Sequence, residues 1–159
     1  MSIFSEWFPE LGDVWAQGQI TQAFTDLEEF ELPDGRQLLF EGDINSDVMF
    51  YIVSGKIRVT VGGDGGEELL LNVLGPGNFV GEMGFLQGAA RCAALTAEGD
   101  TRLKVLGREE LRTLLVGTSP VILLLLDQLI DRLRAMSTLA AQSSTEADDV
   151  QAAIREYMG

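Results

Sequence analysis

The sequence predicts an α+β fold in which about eight short antiparallel strands close a barrel or sandwich between helical ends. Three observations carry this. From Leu27 to Leu106 short β-rich runs alternate with turn residues; before and after that stretch the apolar residues recur at helical spacing; and 159 residues suit one compact unit. The expected organisation is a helical segment over 1–26, a strand-rich region over 27–107 and C-terminal helices over 108–159, together forming a single domain.

Taken in order, Phe8, Leu11, Val14 and Trp15 predict a short amphipathic helix, with Pro9 tolerated near its start. The expected strands are Phe30–Leu32, Gln37–Phe40, Val48–Val53, Lys56–Val61, Glu67–Leu74, Asn78–Val80, Cys92–Ala97 and Thr101–Leu106. Their separators include Pro33-Asp34-Gly35, Ser54-Gly55, Gly62 to Gly66, Gly75-Pro76-Gly77 and Glu98-Gly99-Asp100, residues that accept turn dihedrals. Alternation in Lys56–Val61 turns Ile57, Val59 and Val61 inward and leaves Lys56, Arg58 and Thr60 to solvent. After Arg108 a first helix carries Leu111, Leu114 and Leu115; Ser119 and Pro120 then cap and start a longer one. Along it Ile122, Leu126, Leu129, Leu133, Met136 and Ala140 form a seam in steps of four and three, suited to packing on its own domain or on a second copy. Glu146–Met158 reads as a last, acidic helix.

Composition removes many functions. Eleven Lys and Arg oppose 25 Asp and Glu, a formal net charge of -14, which repels nucleic acid and anionic lipid. With no histidine and one cysteine, Cys92, imidazole metal sites, His-dependent catalytic triads and intrachain disulfides are excluded. Metal-dependent cupin chemistry, housed in a similar barrel, fails on the same count. The first residues lack a basic stretch ahead of an apolar run, and the run Val121–Leu126 is too short to span a bilayer, so a cytoplasmic chain without membrane contact is expected. The Gly62–Gly66 cluster is not followed by Gly-Lys-Ser/Thr and reads as a hairpin turn. The carboxylate pairs Glu28-Glu29, Glu67-Glu68 and Glu109-Glu110 read as solvated faces.

The informative stretch is Gly75 to Ala93: a strand running into glycine, one apolar turn of helix, then small residues that deliver Arg91. Gly81 permits close backbone approach, and the amides of Glu82, Met83 and Gly84 open a helix without intrahelical acceptors. Arg91 is the cation of this stretch, with a planar fork matched to two phosphate oxygens. Glu82 needs a donor, which a sugar hydroxyl or the arginine supplies. Spacing alone leaves two readings, an anion cradle and a structural ion pair.

These residues, with Leu39-Phe40-Glu41-Gly42-Asp43 and Tyr51 to Val59, occur in one order across Leu32–Thr138. In this the chain resembles the cyclic nucleotide-binding domains of catabolite activator protein and of cyclic-nucleotide-dependent protein kinase regulatory subunits. The resemblance implies a β-roll or jelly roll with a phosphate-binding cassette. Gly81, Glu82 and Met83 would line the cyclic phosphate and ribose, Glu82 accepting the 2′-hydroxyl, Arg91 pairing with the phosphate, and Cys92 adding its amide and side chain. Ser137 and Thr138 fall where the activator places a Thr-Ser pair against adenine. Two departures stand out: Cys92 replaces a hydroxyl residue, so it is a ligand contact or a small buried hydrophobe, and only about twenty acidic-leaning residues follow the long helix, so no DNA-reading element is expected.

The implied function is a non-catalytic sensor of cyclic AMP, with cyclic GMP as the second ligand. No metal or cofactor is implied. It would dimerise through residues 121–140 and signal to an effector protein that the sequence does not identify. The competing expectation is a scaffold of the same fold that binds no nucleotide.

Overall fold

The structure, a computed structural model, describes residues 24–63, 65–133, 135 and 136. The helix expected around Phe8–Trp15, Ser137, Thr138, Ala140 and the acidic segment Glu146–Met158 lie outside the described residues. The chain forms two compact units, Met1–Val116 and Gly117–Gly159.

The first unit is built on one antiparallel sheet. Its strands are β1 (Glu29–Leu32), β2 (Gln37–Leu39), β3 (Val48–Gly62), β4 (Glu68–Leu74), β5 (Phe79–Val80) and β6 (Ala94–Gly107). The order is β1-β6-β3-β4, with β2 on β6 and β5 on β3. A short helix α1 (Glu82–Gln87) lies between β5 and β6, and α2 (Arg108–Leu115) follows β6. Antiparallel strands with few helices match the predicted fold class.

The strands are fewer than the eight runs because two separators are bends inside continuous strands. Ser54-Gly55 lies within β3 and Glu98-Gly99-Asp100 within β6, and the ladder between the two shifts register around Ser54. Gly55 takes φ +82°, and a Cβ there would lie 2.5 Å from both the Asp100 carbonyl oxygen and Thr101 Oγ1. Only glycine fits, in conformation and in space. The buried Thr101 hydroxyl fills the gap, accepting from the Lys56 amide at 3.3 Å and lying 3.1 Å and 3.0 Å from the Lys56 and Gly99 carbonyls. Glycine thus turns the chain while the ladder continues.

Burial corrects two further expectations. Thr60, assigned to the wet face, is buried: it lies opposite Leu70 of β4 and Ala94 of β6, and its hydroxyl donates to Glu68 Oε1 at 2.6 Å instead of meeting solvent. Nor are the carboxylate pairs merely solvated. Glu29 pairs with Arg102 and Lys104, Glu68 takes the Thr60 proton, and Glu110 accepts the Gly107 amide at 3.0 Å, stitching the end of β6 to the start of α2.

Ile52, Ile57 and Leu103 are fully buried at the centre of the core, each worth about 1.5–3 kcal/mol of apolar burial. A second cluster joins Phe85 of α1 to Met49 and Leu106, with Leu111 of α2 against it. These contacts fix α1 on β3 and β6. In the second unit, residues 120–133 form a helix, α3, which is helical again at 135–136. Ile122, Leu126, Leu129 and Leu133 on its seam are all exposed. No helix among the described residues is long and apolar enough to cross a membrane.

Candidate functional site

The site begins where β5 ends. Phe79 and Val80 pair with Tyr51 and Phe50 of β3, and Gly81 then turns the chain at φ +73° into α1. At the far end Gly88 takes φ +61° and α1 closes with the Ala89 amide on the Gly84 carbonyl at 3.1 Å. The chain next meets the loop between β2 and β3. The Arg91 amide donates to the Asp43 carbonyl and the Gly42 amide to the Arg91 carbonyl, both at 2.8 Å.

With its backbone held there, the Arg91 side chain turns inward and is 4% exposed. Nη1 donates to the Gly81 carbonyl at 2.7 Å, Nη2 to the Val48 carbonyl at 2.7 Å and Nε to the Asn45 carbonyl at 3.2 Å. Burial lowers its pKa from the ordinary value, opposed by the nearby charges of Asp43, Asp47 and Cys92. An arginine remains charged under such a shift. Three of its five N–H groups are thereby used, and one on each Nη has no acceptor among the described residues. The Glu82–Arg91 ion pair that the spacing left open is not formed: the Glu82 carboxylate has no hydrogen-bond or ion-pair partner among the described residues.

Gly81, Glu82, Met83, Arg91 and Cys92 line one cavity of about 280 Å³. Its remaining wall is apolar, made chiefly by Leu39, Val59, Leu71, Leu74 and Val80. Cys92 is exposed and precedes β6, so it is neither the buried strand residue nor part of the strand that its sequence context allowed. Ser137 and Thr138 are not placed, since both lie outside the described residues. The sequence reading missed the apolar wall and the two carbonyls, Asn45 and Val48, that hold the guanidinium. The wall left a partial signal in strand alternation. Carbonyl contacts leave none, because every residue has one.

The arrangement presents a buried guanidinium, helix-opening amides, one unpaired carboxylate and an aliphatic wall. It suits an anion joined to a hydroxyl-bearing, partly apolar body. A family model described as the cyclic nucleotide-binding domain matches residues 29–117, which takes in all six strands, α1 and α2. The chain belongs to the cyclic nucleotide-binding domain family. It is 35% identical over 95 residues to the cyclic AMP receptor protein of Thermus thermophilus, covering 60% of this chain and 44% of that protein. It is 27% identical over 106 residues to the cAMP-activated global transcriptional regulator CRP of Salmonella typhimurium, covering 66% and 50%. This cyclic nucleotide-binding domain thus spans about half the length of those relatives. Among solved structures, the Thermus thermophilus catabolite activator protein superposes with a TM-score of 0.60 at 29% identity, covering 82% of this chain and 62% of that one. The regulatory domain of Toxoplasma gondii PKA with cAMP gives a TM-score of 0.53 at 28% identity, covering 59% and 35%.

Proposed function

We propose that this domain binds cyclic AMP in the cavity beside Arg91 and acts as a non-catalytic sensor. The observation that carries the reading is the convergence of the Arg91 guanidinium, the Gly81–Gly84 turn and the unpaired Glu82 carboxylate on one cavity. The cyclic phosphate would take the two remaining Nη protons and the first amides of α1; the ribose 2′-hydroxyl would donate to Glu82; and the base would lie on the aliphatic wall. Cyclic GMP is the second ligand. Preference for adenine rests on the resemblance at Ser137 and Thr138.

Binding would alter behaviour only through contacts that differ between two states. The proposed output is α3, pairing with a second copy through Ile122, Leu126, Leu129 and Leu133, whose exposure in the single chain leaves an unfilled seam. The acidic net charge of -14 supports signalling to an effector protein in the cytoplasm rather than contact with nucleic acid or membrane.

One observation favours the scaffold reading: all three guanidinium nitrogens already bond to carbonyls, so Arg91 has a structural task without any ligand. Calorimetry and thermal melting with cyclic AMP separate the two. A sensor shows saturable heat and a midpoint that rises with nucleotide, both lost in Glu82→Gln; no shift at millimolar nucleotide establishes the scaffold.

A further inference from the structure

The loop between β2 and β3 displays two large apolar side chains, Phe40 at 59% and Ile44 at 87% exposure. An isoleucine so exposed forgoes the burial that normally places it inside. The loop carrying it is not slack. The Asp43 amide closes a turn on the Phe40 carbonyl at 3.2 Å, and the Asn45 amide bonds Asp43 Oδ1 at 2.9 Å. Glu41 Oε2 accepts the Gly62 amide at 2.7 Å, and Arg91 holds the loop through Gly42, Asp43 and Asn45. Phe40 and Ile44 are therefore presented on a braced frame that needs little further ordering when a partner arrives.

The charged side chains along the loop itself have one sign. Residues 40–47 include Glu41, Asp43 and Asp47 and no Lys or Arg, while the nearby Arg91 is buried. A second copy would bring the same acidic loop, and an anionic lipid surface would be repelled. The complementary occupant carries cations flanking aliphatic groups. We propose that the 40–47 loop is a docking surface for a basic, apolar segment of a partner protein. Such a segment would seat aliphatic side chains on Phe40 and Ile44 and place its Lys or Arg against Glu41, Asp43 and Asp47.

The test uses the full chain and a fluorescein-labelled amphipathic Leu/Lys peptide, followed by anisotropy at physiological salt. Binding is expected to weaken about tenfold or more in Ile44→Lys and several-fold in Phe40→Ser, since an anchor is lost or a like charge added. It should persist in Leu124→Lys, a control at an exposed position on α3. Ile44 is so exposed that its replacement leaves the fold intact, which an unchanged melting curve verifies. The proposal is overturned if the wild-type chain does not bind the peptide, if Ile44→Lys binds as well as wild type, or if a Leu/Glu peptide binds equally. It is also overturned if Ile44→Lys changes the sedimenting mass, which would make the loop an interface between copies, or abolishes binding to anionic vesicles, which would make it a membrane contact.

Discussion

The carbonyl of Gly81 accepts a hydrogen bond from Arg91 Nη1 at 2.7 Å, tying the residue that opens α1 to the buried guanidinium. A Cβ at Gly81 would lie 3.1 Å from that nitrogen and 2.9 Å from Leu39 Cδ1, so the glycine is needed for this approach as well as for its positive φ. Arg91 is thus a brace between α1 and the β2–β3 loop in addition to its proposed role in binding.

Arg91→Ala is expected to lose stability and affinity together. Removing the guanidinium leaves the carbonyls of Asn45, Val48 and Gly81 without their donor, a cost of about 3 kcal/mol or more. Urea denaturation measures this. Affinity for cyclic AMP should fall by about 2 kcal/mol or more, as for loss of a charge-assisted contact. Arg91→Lys keeps the charge but cannot reproduce the planar fork, so it should retain part of the stability and lose most of the binding. Calorimetry giving wild-type affinity for Arg91→Lys would sink the phosphate assignment.

Gly55 and Gly35 both have positive φ, but only Gly55 is crowded. Gly35→Ala should cost about 1–2 kcal/mol, the strain of the left-handed backbone alone. Gly55→Ala must also displace Asp100 and Thr101 at the β3–β6 bend, so its cost should exceed that of Gly35→Ala by about 2 kcal/mol, as for other strained sites. Parallel thermal melts decide the order; equal midpoints would refute the role of the bend.

Glu29 carries an acid-sensitive contribution. Its hydrogen bonds to Arg102 and Lys104 hold the carboxyl below its usual range, against a smaller opposing effect of burial. Because the folded pKa is depressed, the stabilisation is complete above the unfolded value of about 4 and fades as pH falls through the folded one. Glu29→Gln should therefore cost up to about 1 kcal/mol at pH 7, the scale of a partly exposed pair, and converge with wild type near pH 2. A difference that persists unchanged at low pH would contradict this.

Cys92 offers a direct report on the cavity. The thiol is exposed and lines the same space as Arg91, so a maleimide should label it readily in the free chain. Saturating cyclic AMP is expected to slow labelling about tenfold, by covering the sulfur. Equal rates with nucleotide bound would place the ligand elsewhere.

Fold class and part of one cavity's lining were legible in residue order alone. Gly81, Glu82 and Arg91 stand out because few other residues offer close backbone approach, a hydroxyl acceptor and a planar cation in that succession, and all three line one cavity. The turn residues likewise announced an antiparallel sheet. Strand number was not legible, since Ser54-Gly55 and Glu98-Gly99-Asp100 have the composition of turns. They became bends only because each found the other across the β3–β6 ladder, with the Thr101 hydroxyl closing the gap.

The orientation of Arg91 belongs to the same class. Residue identity supplied a guanidinium and its approximate neighbours, which are local matters of covalent structure and spacing. Whether it would pair with Glu82, reach solvent or turn inward depended on carbonyls brought from positions 45, 48 and 81 by folding. Backbone oxygens are present at every residue, so tertiary packing alone decides which of them surround a buried charge.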